Sequence, residues 1–447
     1  MAVPSLVMQT TYAELLERSA AAAFSEAFPE AGVFTSKTIK GRRYWYFQVP
    51  AGKGRAQRYV GPETSELLER IKTHKQARDD ERERRALVST LIRFGFPRSI
   101  PEIGNVVAAL AKAGIFRLRG VLVGTVAYQT YPALLATKLP SQTLQTGDVD
   151  IAQYGNVSVA IDDRTPPVID VLREVDQTFH PVSRLKSALV ASYAAKGGLR
   201  VDFLTPNEGA DTDELQPLPA FRTDAQPLRF LDFLIREPEP AVILHDAGVY
   251  VHVPSPERFA VHKLIISQLR RERAAKREKD IHQAEGLLEV LVQKRPWELR
   301  QVWEEAYERG ERWRELLIRG LAHLESQIRD RLLKHVRASR AMLPGIDLTF
   351  NNPPANYDFG RDVVTFVGHS VGEPVQGAIS REALDDHFGA DGLGNEGRLE
   401  KFLENRSTIE AMARAKYLSW PVEESGAVLI KTSDVPKLRD ELRAVNG

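Results

Sequence analysis

Apolar and polar positions change their rhythm several times along the chain, and each change marks a different kind of element. From about 255 onward, apolar residues recur at spacings of three and four, predicting helices at 255–271, 277–294, 296–308 and 311–339. Between Arg117 and Pro254 the rhythm is instead one of short apolar runs broken by helical stretches, which predicts an α/β core. Its first strand is Gly120–Val123, and its next apolar strand carries Asp148-Val149-Asp150-Ile151. A third, Leu199-Arg200-Val201-Asp202-Phe203-Leu204, ends at Thr205-Pro206.

Upstream, Thr11–Leu15 opens a helix, and Tyr44–Val49 reads as a strand. The PAGKG turn follows, and Gln57–Gly61 returns as the second arm of a β-hairpin. Residues 64–95 read as a long charged helix, and Pro101–Ala113 as a second helix. Leu343-Pro344-Gly345 breaks the chain. Beyond it, strands at Asp347–Phe350, Val363–Val367 and Gly377–Ile379 precede helices from Arg381 and Gly394. The pattern predicts an α+β chain in four parts. These are an N-terminal hairpin and helical region (1–99), a mixed-sheet core with flanking helices (100–254), a helical domain (255–342) and a small α+β C-terminal module (343–447). A length of 447 residues is consistent with several domains.

Composition narrows the chemistry. With 43% hydrophobic and 27% charged residues this is ordinary globular composition. The net charge of +1 gives no global field toward nucleic acid, so any such binding needs a local patch. The absence of cysteine excludes disulfides and thiolate metal sites and fits a reducing cytoplasm. No basic segment followed by an apolar core opens the chain, so no signal peptide is expected. No apolar run of about 18 residues occurs, so no membrane span is expected. There is no HExxH, Walker A motif, nucleophile elbow or Rossmann fingerprint, and His245, His252 and His262 lack metal-ligand spacing. The Gly-rich Phe388–Gly394 has no strand before it and reads as a linker.

The candidate chemistry lies in the core. Asp148 and Asp150 are two apart, so on a strand they share a face. Two carboxylates so placed repel each other unless a cation sits between them, and hard oxygen ligands of this kind suit Mg²⁺ bound against substrate phosphates. A lone aspartate in an apolar strand runs against β propensity, which makes Asp202 the candidate third acid. Asp162 and Asp163 adjoin Arg164-Thr165-Pro166 and read as turn or cap residues. Gly124-Thr125 closes the first core strand and opens a helix expected over Val126–Thr137. A glycine there lets backbone approach a phosphate at a helix N-terminus, with Thr125 as cap or phosphate donor. Tyr128 and Tyr131 on that helix read as core or pocket wall, or as base-stacking residues.

Two basic regions stay open to two readings. Lys40, Arg42, Arg43, Lys53, Arg55 and Arg58 of the hairpin interleave with Tyr44, Trp45 and Tyr46. That suits nucleic acid, and equally a solvated edge protected from aggregation. The segment Lys263–Lys279 holds seven Lys/Arg against two Glu, either a solvated helix–loop or a cationic wall for triphosphate or RNA.

With these residues in hand, the chain resembles the nucleotidyltransferase superfamily of the DNA polymerase β type over about residues 100–300, and within it a bacterial branch akin to AbiEii-type toxins. The resemblance implies a nucleotidyltransferase-type mixed sheet, Mg²⁺ as cofactor and an NTP, ATP first, as substrate. It places Gly124 and Thr125 on the phosphate-binding turn, and Asp148, Asp150 and Asp202 on the metal-binding and catalytic acids. Thr125 stands where the family has Ser or Gly and keeps a hydroxyl. The Gly124–Asp148 interval is longer than usual, so Pro140–Gly147 would loop out. Lys263 falls on a nucleotide-contacting lysine and Asp280 on a later acid, while Gln283 replaces a further acid. The C-terminal stretch from Asp347 resembles a small bacterial domain of unknown function. The expected activity is transfer of a nucleotidyl group from an NTP to an acceptor, which for this chain is open among RNA, protein and small molecules. The alternative is a binding or regulatory module without turnover, acting with a toxin–antitoxin or defence partner.

Overall fold

In the computed structural model the described residues are 6–27, 33–51, 54–73, 81–140, 147–160, 163–182, 189–207, 209–270, 274–336, 347–351, 354–370, 373–419 and 427–446. Their contacts group the chain into two compact units, Met1–His262 and Lys263–Gly447.

The first unit opens with helix α1 (Leu6–Ala27), followed by a three-stranded antiparallel sheet of β1 (Val33–Ile39), β2 (Arg42–Ala51) and β3 (Gly54–Pro62). The expected hairpin is therefore two arms of a larger sheet. β1 escapes the hydrophobic pattern because most of its residues are exposed. Tyr46, Phe47 and Tyr59 are buried, and the edge of the Tyr46 ring meets Tyr59. In the stretch expected as one charged helix stand α2 (Ser65–Thr73) and α3 (Glu81–Arg93), with 74–80 outside the described residues. Helix α4 (Pro101–Ala113) has the predicted bounds. Proline supplies the preset φ of its first turn, and Gly114 ends it in the left-handed region at φ 98°.

The core follows with β4 (Val121–Val123), α5 (Gly124–Tyr128), α6 (Tyr131–Leu134), β5 (Asp148–Ala152), α7 (Gly155–Ala160) and α8 (Val168–Val175). Next come β6 (His180–Pro181), β7 (Ser192–Ala194), β8 (Arg200–Pro206), β9 (Gln216–Leu218), β10 (Thr223–Leu228), α9 (Leu231–Leu234) and the hairpin β11 (Glu239–Ile243) with β12 (Val249–Val253). Strands β4 to β10 form one mixed sheet in the order β4-β5-β8-β10-β9, with β7 against β8 and β6 against β7. β5 runs parallel to β8, and β8 to β10, while β4 is antiparallel to β5. β8 thus has neighbours on both sides, which fits the complete burial of Val201 and Phe203. Tyr12 and Leu15 of α1 and Leu91 of α3 share an apolar cluster with Ala133 and Leu244, so the N-terminal region and the core pack as one body.

Helix α10 (Pro256–Ser267) runs through the boundary between the units. The second unit continues with α11 (Ala274–Lys294), α12 (Pro296–Glu308), α13 (Glu311–Ala322) and α14 (Ser326–Leu333). The last helix expected there, 311–339, is thus divided around His323–Glu325, and 337–339 lie outside the described residues. Its C-terminal part is a four-stranded sheet, β13 (Asn356–Asp358), β14 (Val363–Ser370), β15 (Glu373–Ser380) and β16 (Val428–Ile430), in that order. Helices α15 (Arg381–Phe388), α16 (Asn395–Glu404), α17 (Arg406–Ser419) and α18 (Val435–Asn446) accompany it. Phe366, Ile379, Phe402 and Met412 close its core. The strand expected at Asp347–Phe350 amounts to one bridge, Thr349 to His369. Among the described residues no helix is long and apolar enough to cross a membrane.

Candidate active site

Two adjacent strands build the acid face. On β5, Val149 and Ile151 are fully buried while Asp148 and Asp150 are half-buried. On β8, Val201 and Phe203 are fully buried while Arg200 is exposed and Asp202 half-buried. The parallel register sets Asp150 beside Asp202 and Asp148 beside Arg200. In-register neighbours point to the same side of a sheet, so the three acids and Arg200 share one face and the apolar residues fill the other.

Arg200 and Ser192 change what Asp202 can do. Asp202 Oδ1 accepts from Ser192 Oγ at 2.5 Å and from Arg200 Nε at 2.9 Å, and Arg200 Nη2 reaches the same Ser192 hydroxyl at 3.2 Å. Ser192 comes from β7, the neighbour of β8 on its other side. Asp202 thus has its counter-charge from protein. Among the described residues, no group of three or more His, Cys, Asp or Glu is placed to hold a metal ion. The Asp148–Asp150 pair still fits Mg²⁺ by donor chemistry. Its ligands are hard oxygens, and that ion usually takes one or two carboxylates and completes its shell with water and substrate phosphates. The sequence carried a sign of Arg200: it stands two residues before Asp202, and a period of two puts both on one face. Ser192 had no comparable sign.

The turn after β4 is built against Asp150. Val123 pairs with Asp150, and Gly124 follows with φ +68°. A Cβ on Gly124 would collide with Oδ2 of Asp150, so any other residue there strains the backbone and pushes that carboxylate aside. Thr125 is buried in the first turn of α5. The helix expected over Val126–Thr137 is broken into α5, five residues long, and α6, four residues long. Pro132, in the first turn of α6, lacks the N–H a continuous helix needs and disfavours helical backbone before it. A helix as short as α5 aligns few peptide dipoles, so the turn contributes backbone shape more than field. Tyr128 and Tyr131 are fully buried and pack on Phe259, tilted and edge to face respectively, with ring centres 5.8 and 5.2 Å away, and the Tyr131 hydroxyl donates to the Pro254 carbonyl. They are core residues.

Lys263 and Asp280, expected at the nucleotide, are partners of each other. Lys263 Nζ lies 2.5 Å from Asp280 Oδ1, both side chains are under 10% exposed, and Arg270 binds the other oxygen of Asp280. A carboxylate shared by two cations at this burial clamps the start of α11 to the end of α10.

The hairpin residues are likewise drawn into structure. Trp45 donates to Glu63, and Lys37 sits 4.7 Å over the Tyr46 ring. The backbone N–H of Tyr59 donates to Asp163, which also pairs with Arg117, and Arg117 donates to the Tyr59 carbonyl. Asp163 therefore ties the N-terminal sheet to the core, while Asp162 and the side chains of Lys53 and Arg55 lie outside the described residues.

Residues 101–308, which contain the acid face, match a family model described as Nucleotidyltransferase. Residues 348–430 match a second model, Protein of unknown function (DUF1488), and contain the four-stranded sheet with α15, α16 and α17. No curated protein and no solved structure matches the chain.

Proposed function

We propose that the chain is a Mg²⁺-dependent nucleotidyltransferase that moves a nucleotidyl group from an NTP, ATP first, to an acceptor hydroxyl or phosphate. The observation that carries this is the pairing of Asp148 and Asp150 on one half-exposed strand face with a glycine turn fitted against Asp150, inside the segment that matches the family. Asp148 and Asp150 would hold the ion, which when bound offsets charge on the triphosphate and orients it. Gly124 lets the backbone of the turn approach the phosphates without a side chain between. Asp202 has one oxygen held by Ser192 and Arg200, and its other oxygen takes the acceptor's proton. The acceptor oxygen then bonds to the α-phosphorus, and the bond to pyrophosphate breaks.

A second reading draws on Arg200. A guanidinium seated on the third acid is what a retained fold without turnover would show, and such a protein would act as a binding or regulatory module with a toxin–antitoxin or defence partner. Both readings carry a bacterial, cytoplasmic setting in the AbiEii-like branch, supported by the sequence resemblance and the cysteine-free composition. Pure protein incubated with each labelled NTP, Mg²⁺ and total cell RNA or lysate separates them. Transfer that a chelator abolishes supports the enzyme, and inertness toward every NTP and acceptor pool supports the module.

A further inference from the structure

The first unit contains a cavity of about 1300 Å³ that none of the candidate catalytic residues lines. Its walls come from β3, α4, the start of β4 and β12, with Ser19–Phe24 of α1 at one side. It reaches β4 at the end away from Gly124. Val121 lines it, whereas Val123 pairs with Asp150, so about 7 Å of strand separates cavity wall from acid face.

The charge of this cavity departs sharply from that of the chain. Eight Lys/Arg line it against three acids, in a protein whose net charge is +1. Part of that charge is built into the wall. Arg84 is 9% exposed and donates to the Ala247 carbonyl, and Arg117 is held by Asp163. Arg98, Lys112, Arg119 and Arg164 are exposed. Arg119 is held with φ +69°, a backbone conformation that costs free energy in a non-glycine residue, and its side chain hydrogen-bonds Tyr59. The field is felt locally: burial first, then the charges of Arg119 and Arg70, push His252 down to about 4, so its ring is neutral at pH 7.

Aromatic surface accompanies the charge. Tyr154, Tyr250 and His252, each part-exposed, line the cavity beside the buried Tyr59, and the Tyr250 and His252 rings lie edge to face at 5.4 Å. Cationic walls with aromatic faces are what single-stranded nucleic acid needs, the first for phosphodiesters and the second for bases. The volume exceeds the roughly 300–1,000 Å³ of small-ligand pockets, so the site has room for more than one nucleotide. We propose that this cavity binds the phosphodiester backbone of a single-stranded polynucleotide, separately from the NTP.

The probe is a fluorescent oligouridylate of roughly 12 nucleotides, a length within the site sizes of single-strand binders. Its anisotropy is followed with the full chain, without NTP or metal, across about 50 to 200 mM salt. The triple variant Arg98→Gln, Lys112→Gln, Arg164→Gln changes exposed residues only. It should raise Kd at least about tenfold and lower the salt slope by about 2, since each lost phosphate contact on a single strand removes about 0.7. Oligodeoxyuridylate of the same length shows whether RNA is preferred over DNA within this chemistry. Unchanged affinity and slope in a folded triple variant would overturn the proposal. So would displacement of the probe by ATP or poly-L-glutamate as effectively as by unlabelled oligouridylate. Independently of any variant, a photocrosslink from 4-thiouridine in the same probe should map to the wall around Tyr59 or Tyr250. Crosslinks confined to residues 263–447 would contradict it.

Discussion

Asp202 and Asp280 are each held by an arginine, yet they sit in opposite kinds of place. Asp280 is 5% exposed and shared by Lys263 and Arg270. Asp202 is 23% exposed, its arginine is 45% exposed, and Asp150 stands beside it on the next strand. Burial separates a clamp from a site. A buried carboxylate between two cations is strongly coupled to packing, because removing it strands buried charge. A part-exposed carboxylate with a part-exposed partner and a like-charged neighbour has a smaller packing role.

The largest effect is expected from Asp280→Asn. It leaves the buried Lys263 ammonium and Arg270 without their charge partner, and removing one member of such a group costs about 3–5 kcal/mol. Thermal melting should fall by about 10 °C for a unit of this size. A variant that melts with the parent and loses only nucleotide affinity would return Asp280 to the substrate.

Gly124→Ala should cost about 1–3 kcal/mol, because alanine is strained at φ +68° and its methyl group displaces the Asp150 carboxylate. Urea unfolding measures the first effect, and nucleotidyl transfer the second. Full activity in this variant would show that the turn and Asp150 do not work together.

The smallest effect belongs to Arg200→Gln. A partly exposed ion pair contributes at most about 1 kcal/mol, so the melting curve should barely move. Its value lies in the transfer assay. The catalytic reading expects transfer to persist, and an inert parent that gains turnover in Arg200→Gln would show that the pair holds the site shut.

What could be read from the sequence depended on whether the signal was local. The acids on β5 and β8 were legible because a period of two fixes their face, and α4 was legible at its bounds, where Pro101 and Gly114 turn out to start and end it. The break between α5 and α6 was marked by Pro132 and passed over because the apolar pattern runs on through it. The role of Asp280 was not legible. Lysine, arginine and aspartate at helical spacing look alike whether they face solvent, a ligand or each other, and only packing decides. The cationic cavity was illegible for the same reason, since its lining is gathered from Ser19 to His252.

Whether Asp148 and Asp150 form a working metal–nucleotide face is decided by Asp150→Asn. The substitution keeps the shape and removes one negative ligand, and it relieves repulsion between neighbouring carboxylates in the metal-free protein. The account predicts that Mg²⁺-dependent transfer from labelled NTP is abolished while the melting temperature stays the same or rises. An Asn variant that transfers nucleotide as fast as its parent would contradict it.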